Sequence, residues 1–141
     1  MIRKIQRLCV YCGTSPGKRP EYAETARLLA SAMVRRNIEL VFGGSAAGIM
    51  GELADSLINA GGKAIGVISE GLVDMGAAAP NLTDLRIVKS FHERKQLMID
   101  LSDGFVALPG GLGTLDELFT VLVEAQLGMH SKPCALLNVC D

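Results

Sequence analysis

A glycine-rich run that ends in a carboxylate is the segment of this chain best suited to chemistry. It reads Pro109-Gly110-Gly111-Leu112-Gly113-Thr114-Leu115-Asp116-Glu117, between a strand-like run at 105–108 and a helical pattern that continues to about Leu127. Glycines let a backbone approach a ligand closely, and the free N–H groups at a helix start attract phosphate. The run therefore predicts a phosphate site beside the Glu117 carboxylate, an arrangement suited to nucleotide chemistry.

The same residues also fit a purely structural explanation. Thr114-Leu115-Asp116-Glu117 matches a capping box, in which Glu117 would bond back to the backbone at Thr114. Against this, Asp116 already supplies negative charge to the first turn of the helix. The sequence leaves both interpretations of Glu117 open.

A second group of charged residues begins the preceding helical pattern, Ser90-Phe91-His92-Glu93-Arg94-Lys95. Ser90 and Glu93 match a capping box, which is a sufficient explanation for Glu93. Arg94 and Lys95 oppose the helix dipole, which favours negative charge at this end. A bound anion would relieve that conflict, because a guanidinium grips phosphate or carboxylate with two hydrogen bonds and lysine acts as a point charge. Solvated surface charge is the alternative.

The strands and helices that must position these residues alternate along the whole chain. Strands are predicted at 8–11, 38–42, 64–68, 85–88, 105–108 and 135–139, and helices at 22–36, 49–59, 91–102 and from the glycine run to about 127. This alternation is typical of an α/β fold with an open, mainly parallel sheet and helices on both faces. Residues 69–80 contain no clear element and are predicted to form a flap or binding loop.

The glycine-rich loops follow strands in this prediction. Gly43-Gly44-Ser45-Ala46-Ala47-Gly48 follows the second strand and has the same design as the run at 109–117, although one glycine loop alone is a weak indication. Ligands bind at the carboxyl edge of open parallel sheets. We therefore expect these loops to meet around a nucleotide-sized ligand.

Composition limits the class of protein. The 141 residues are expected to form one domain, 1–141. The net charge of −1 and the lack of a basic tract argue against nucleic acid as a partner. No stretch approaches the roughly 20 apolar residues of a membrane span, and the first residues lack the apolar core of a secretion signal. A cytoplasmic protein is expected.

The remaining candidates for metal or redox chemistry are cysteines and histidines: Cys9, Cys12, Cys134, Cys140, His92 and His130. A zinc site needs tight paired spacings, which this set lacks. We expect the cysteines to be small buried side chains in a reducing compartment. The histidines are expected to be structural or exposed, and no metal or cofactor is indicated.

Together, these motifs resemble those of the Lonely Guy family, phosphoribohydrolases that release cytokinin bases from riboside 5′-monophosphates. The resemblance covers nearly the whole chain, including 10–17, 42–51, 92–95, 109–117, Ala125-Gln126-Leu127-Gly128 and Lys132-Pro133. The paired signatures at 92–95 and 109–117 are far more specific than any single glycine loop. Many bacterial members were once labelled lysine decarboxylases, an activity that we do not expect of this chain.

The resemblance implies a Rossmann-like fold, a homodimer, and hydrolysis of a purine riboside 5′-monophosphate (AMP or a cytokinin nucleotide) to free base and ribose 5-phosphate. It implies that Arg94 and Glu117 are the catalytic pair. The implied substrate and phosphate contacts are Lys95, Gly110, Gly111, Leu112, Gly113, Thr114, Gly43, Gly44, Ser45 and Met50. A carboxylate suits this reaction because it can stabilise an oxocarbenium-like sugar or orient the attacking water.

Several positions depart from the family pattern. Ser45 replaces a common third glycine, Val123 a threonine and Glu124 often an aromatic residue, while Gly76 and Ala79 stand where a glutamate and a histidine are expected. The family's C-terminal elements are expected to be lacking, which would expose apolar surface and favour association.

These departures keep two alternatives open. One is a non-catalytic nucleotide or molybdenum-cofactor carrier of the same fold, which the glycine at position 76 favours. The other is a degenerate form without independent function. Arg94 together with Glu117 favours the enzyme, because phosphate binding alone does not need the carboxylate.

Overall fold

The computed structural model describes residues 3–141, which form a six-stranded, fully parallel sheet flanked by helices. The strands are β1 Arg7–Tyr11, β2 Glu39–Phe42, β3 Ala64–Ser69, β4 Asp84–Val88, β5 Gly104–Ala107 and β6 Cys134–Leu136. The helices are α1 Pro20–Arg35, α2 Gly48–Asn59, α3 Glu70–Asp74, α4 Phe91–Leu101 and α5 Leu112–Gln126. This arrangement confirms the predicted α/β, Rossmann-like fold.

The sheet buries a separate core on each of its faces. In β2, Leu40 and Phe42 face the core beneath α1 and α2, whereas Val41 faces the core that Met98 of α4 and Val121 of α5 complete. This division follows from the two-residue period of a strand. Because helices cover both faces, the central strands are continuous apolar runs.

The direction of winding reverses between β1 and β5, since the strand order is β4-β3-β2-β1-β5-β6. The chain passes from β1 through α1 to β2 on one side, and returns through α4 to β5 on the other. The loops after β1 and β5 therefore lie side by side at the carboxyl edge, the place where open parallel sheets bind ligands.

Most predicted elements are present with ends shifted by a few residues. α1 begins at Pro20 rather than at 22, because proline at the first helical position needs no N–H partner. β6 covers three residues and not the predicted five. The main difference is α3, a short helix within the region predicted to lack any element. Five residues are too few to display a helical period in the sequence.

Candidate active site

A cavity of about 490 Å³ lies at the carboxyl edge of the sheet, lined by loops that follow β1, β2, β3, β4 and β5. Ligand pockets commonly enclose about 300–1,000 Å³, so this cavity has the size of a small-molecule site. The predicted site residues in its lining are Ser45, Met50, Arg94, Gly111, Leu112, Gly113, Thr114 and Glu117. The sheet thus brings together residues far apart in sequence.

Arg94 is buried and is held by two backbone carbonyls. Its Nε donates to Val67 O at 2.8 Å and a terminal nitrogen donates to Gly43 O at 2.5 Å. The side chain is 7% exposed, so it is not a solvated surface charge. Burial lowers the pKa of Arg94, while the nearby Glu117 carboxylate opposes that shift. The ends of β2 and β3 therefore fix the guanidinium in the cavity wall.

Glu117 lies in the second turn of α5. The helix begins at Leu112 after the N-cap Gly111, so Thr114 is inside the helix and the capping-box interpretation of 114–117 does not hold. The side chain is 8% exposed, and no hydrogen bond or ion pair joins it to any residue from 3 to 141. A structural role as a cap is therefore excluded.

Burial controls the ionisation of Glu117. It raises the pKa of this carboxyl to about 7; the Arg94 charge opposes the shift and Asp116 reinforces it. At neutral pH the group is thus poised between its charged and neutral forms. Carboxyl groups tuned in this way are typical of acid–base chemistry.

The start of α5 also meets the cavity. The first N–H groups of a helix lack intrahelical partners, and in α5 the helical bonds begin with Leu115 N to Gly111 O at 3.1 Å. Thr114 Oγ1 is buried and, within the described part of the chain, is the one buried side-chain polar atom with no hydrogen-bond partner. A Cβ on Gly110 would collide with this hydroxyl, so glycine is needed there. Free donors and an unpaired hydroxyl together suit a bound phosphate.

The loop after β2 forms the opposite wall and is held by one hydrogen bond within it and by bonds to the segments after β1 and β3. Ser45 Oγ accepts from Ala47 N at 3.1 Å, and Met50 N donates to Gly13 O at 3.2 Å. Gly44 O accepts from Ala79 N at 2.8 Å. Gly44 itself lies outside the lining of the cavity, and it supports the site through the backbone.

Lys95 is placed differently from Arg94. Its Nζ lies 3.2 Å from the Asp116 carboxylate and 3.3 Å from Thr120 Oγ1, and it does not line the cavity. It therefore joins α4 to α5 in this structure. Ser90 caps α4, since Glu93 N donates to Ser90 Oγ at 3.1 Å, and the Glu93 carboxylate accepts from Lys89 N at 3.0 Å, one residue before the partner that a capping box predicts.

Sequence reasoning missed seven further residues of the cavity lining: Cys12, Gly13, Thr14, Ala47, Leu72, Ala77 and Phe91. Leu72 and Ala77 belong to region 69–80, which contributes to the cavity wall; a binding role for this region stays a prediction. Cys12 and Thr14 directly follow β1. Because ligands bind at the carboxyl edge of parallel sheets, the predicted topology could have identified them as site residues. Burial raises the pKa of Cys12 to about 12, so this group is a neutral thiol at pH 7.

The cysteines and histidines take mainly structural positions. Cys9 and Cys12 are buried as expected, but Cys134 and Cys140 are only half-buried, because β6 lies at the sheet edge. His130 Nε2 lies 3.0 Å from Val121 O, and its Nδ1 accepts from Lys132 N. His92 is exposed.

Two negative findings concern residues 3–141 only. Those residues contain no group of three His, Cys, Asp or Glu side chains placed to hold a metal ion. No helix among them has the length and apolar character needed to cross a bilayer.

Known proteins resemble this chain in sequence over most of its length. The model of the family described as "Possible lysine decarboxylase" matches residues 50–141. A probable cytokinin riboside 5′-monophosphate phosphoribohydrolase of Oryza sativa subsp. japonica is 47% identical over 96% of this chain and 60% of the relative. A cytokinin riboside 5′-monophosphate phosphoribohydrolase of Rhodococcoides fascians is 45% identical over 92% of this chain and 66% of the relative. The chain thus spans about two thirds or less of the length of these relatives.

Solved structures share the fold at lower identity. The molybdenum cofactor binding protein from Rippkaea orientalis superposes with a TM-score of 0.76 at 23% identity, over 98% of this chain and 78% of that one. The molybdenum cofactor carrier protein of Chlamydomonas reinhardtii gives 0.76 at 20% identity, over 94% and 76%. At identities this low, the superpositions show a common fold and nothing about function. Family membership follows from the family model and from the sequence relatives at 45–47% identity. The chain belongs to the "Possible lysine decarboxylase" family, which includes the Lonely Guy cytokinin riboside 5′-monophosphate phosphoribohydrolases.

Proposed function

We propose that this chain hydrolyses the N-glycosidic bond of a purine nucleoside 5′-monophosphate and releases free base and ribose 5-phosphate. The observation that carries the proposal is Glu117, a buried carboxylate without a hydrogen-bond partner in a nucleotide-sized cavity. Burying an unpaired carboxylate is costly, and the fold gains nothing from it. Relatives at 42–47% identity that carry the phosphoribohydrolase name support the same reaction.

The cavity suggests how the nucleotide lies. The 5′-phosphate binds at the start of α5, where free N–H groups and the Thr114 hydroxyl lack partners. Glu117 follows Thr114 by about one helical turn, so the sugar lies next to its carboxylate. The base then extends towards the loops after β2 and β3.

Hydrolysis needs few groups in this arrangement. As the bond between C1′ and the base nitrogen breaks, its electron pair goes to the base and positive charge develops on the sugar. The charged Glu117 carboxylate stabilises that sugar or takes a proton from the attacking water, whose oxygen bonds to C1′. The proton ends on the departing base.

Arg94 balances the charge that develops on the base. Its Nε and one terminal nitrogen are engaged with the backbone, and the other terminal nitrogen has no partner in the described part of the chain. That nitrogen is the one available to the substrate, either as an anchor or as a compensating charge.

The direct test is incubation of the purified chain with AMP and with a prenylated AMP, followed by assay of free base and ribose 5-phosphate. Release of both products in equal amounts is expected. The carrier alternative requires tight binding without products, and that result would overturn the enzymatic proposal.

The phosphate position leads to a prediction for Thr114→Val. Since Oγ1 has no partner in the free protein, its loss should leave the free energy of unfolding unchanged or raise it. A hydrogen bond to a charged group contributes about 1.5–3 kcal/mol, so the Kd for ribose 5-phosphate should rise about 10- to 100-fold. Calorimetric titration and urea unfolding measure the two effects.

Thr83→Val is the matched control for this prediction. Thr83 Oγ1 accepts from Ala64 N at 3.0 Å and lies outside the cavity, so this change should lower stability without affecting binding. Equal ribose 5-phosphate affinity in wild type and Thr114→Val would contradict the assigned phosphate site.

The homodimer is also part of the proposal. Leu115, Phe119 and Leu122 of α5 are 46%, 60% and 39% exposed, and their spacing places them along one face of the helix. A contiguous apolar stripe of this kind is typical of an interaction surface. A second copy would cover it with the same stripe. Localisation in the cytoplasm stays a prediction.

Phe119→Glu tests the dimer, because a charge in the stripe would be buried in the interface without a partner. We expect a dimer for the wild type and a monomer for the variant in sedimentation velocity. Leu28→Glu, at an equally exposed apolar position on α1, should leave the dimer intact. A monomeric wild type would refute this assembly.

A further inference from the structure

The cavity lining divides into two chemical halves. The α5 side provides the Glu117 carboxylate, the Thr114 hydroxyl and the free N–H groups. The side formed by the loops after β2 and β3 and by the start of α4 provides Met50, Leu72 and Phe91. A nucleotide whose phosphate lies on the first half therefore presents its base to the second.

Phe91 is the one aromatic residue in the described lining of this cavity, and the residue is 59% exposed. It is the first residue of α4, but the cap of that helix is made by Ser90 and Glu93, so the helix start does not need an aromatic side chain. The Arg94 guanidinium lies 5.7 Å from the ring centroid. The Phe91 ring thus lies within cation–π distance of Arg94, while most of the surface of Phe91 is not covered by protein.

Hydrogen-bonding side chains are scarce in this apolar half. Ser45 already accepts a bond from Ala47 N. Residues 76–79 are glycine and alanine only, and a Cβ on Gly76 would meet no atom within 4 Å. A base that enters here meets apolar surface and an aromatic ring, with few side chains able to read its polar edge.

We propose that Phe91 is the base-binding residue of this cavity, stacking on the departing base so that aromatic and apolar character is recognised rather than a hydrogen-bond pattern. This inference rests on the proposed function, which places the base in the apolar half. Stacking tolerates changes of base, because every base has a π face. The rest of this half of the lining, Met50 and Leu72, is apolar and adds contact area around the stacked base.

The test measures binding separately from turnover. In the Glu117→Gln background, which does not consume substrate, the Kd values of AMP and of ribose 5-phosphate are compared with and without Phe91→Ala. Loss of base stacking should weaken AMP binding about 10-fold or more. Ribose 5-phosphate, which has no base, should bind with unchanged affinity. Phe91→Tyr keeps the ring and should restore AMP binding.

A positioning role for Phe91 would give a different result. If the ring acted only through Arg94, Phe91→Ala would weaken AMP and ribose 5-phosphate equally, or slow turnover of all nucleotides by one factor; either outcome overturns the proposal. An unchanged AMP affinity also overturns it. Leu28→Ala, which truncates an exposed apolar side chain on α1, is the control and should change neither Kd.

Turnover by the protein with Phe91 and Glu117 intact separates the two proposals. If it releases no base although AMP binding depends on Phe91, the hydrolase proposal fails and the stacking role stands. If it releases base and Phe91→Ala leaves kcat/KM unchanged for both AMP and prenylated AMP, the stacking role fails and the hydrolase proposal stands.

Discussion

Glu117→Gln is expected to abolish release of base and, at the same time, to make the folded chain more stable above neutral pH. Glutamine keeps the size of the side chain but can neither carry negative charge nor accept a proton from water. Loss of an acid–base group typically lowers kcat by about 10²- to 10⁴-fold. AMP binding should persist, because the phosphate and base contacts remain.

The gain in stability follows from the pKa of Glu117. The folded state raises this pKa from an ordinary 4.5 to about 7, so the folded protein binds the proton more tightly than the unfolded chain. The neutral carboxyl is accommodated at low pH, and stability is lost as the pH rises from about 4.5 to 7. Above pH 7 the charged group costs up to about 3 kcal/mol of the free energy of unfolding.

Urea unfolding of both proteins at pH 5 and pH 8 measures this difference. Glu117→Gln should unfold at higher urea than wild type at pH 8, with a smaller difference at pH 5. Glu124→Gln, on the same helix but outside the cavity, should leave activity unchanged. A Glu117→Gln protein less stable than wild type at pH 8 would show that the carboxylate has a structural partner.

The pH dependence of turnover has a defined direction as well. Both roles proposed for Glu117, stabilising the sugar cation and taking a proton from water, require the charged form. The kcat/KM for AMP should therefore rise with pH through about 7 and then level off. A fall over the same range would instead indicate that Glu117 acts as an acid in its neutral form.

The fold could be predicted from the sequence because its determinants are local. The apolar runs of β2 and β3 and the glycine loops that follow strands place the site at the carboxyl edge. The paired motifs at 92–95 and 109–117 also identified the buried residues Arg94 and Glu117.

The remaining features depend on contacts between distant segments. The capping-box pattern at Thr114 was misleading, because helix α5 begins earlier, at Leu112. The cavity that Glu117 faces is lined by five separate loops, which the sequence alone does not bring together. The sequence did not predict Phe91 as a site residue, because the motif that follows it at 92–95 is dominated by charged side chains. Only the folded structure places Phe91 in the cavity lining.

Gly43→Ala is expected to inactivate the protein through Arg94, without touching the substrate. The backbone at Gly43 does not require glycine, since its φ is not positive. A Cβ there would, however, collide with the Arg94 guanidinium and would lie 3.1 Å from Met50 Sδ. Arg94 must then leave Gly43 O, and the crowding should cost about 1–3 kcal/mol of stability. The kcat/KM for AMP should fall steeply.

A double-mutant cycle with Arg94→Met shows whether the damage passes through the guanidinium. Arg94→Met alone should lower both activity and stability, because two carbonyls lose a charged donor. Adding Gly43→Ala to that variant should then lower activity little further, since the group that it displaces is already absent. Gly71→Ala is the matched control: its Cβ meets no atom within 4 Å, so activity should be unchanged and stability equal or higher. Additive losses in the cycle would mean that Gly43 serves the substrate directly rather than by making room for Arg94.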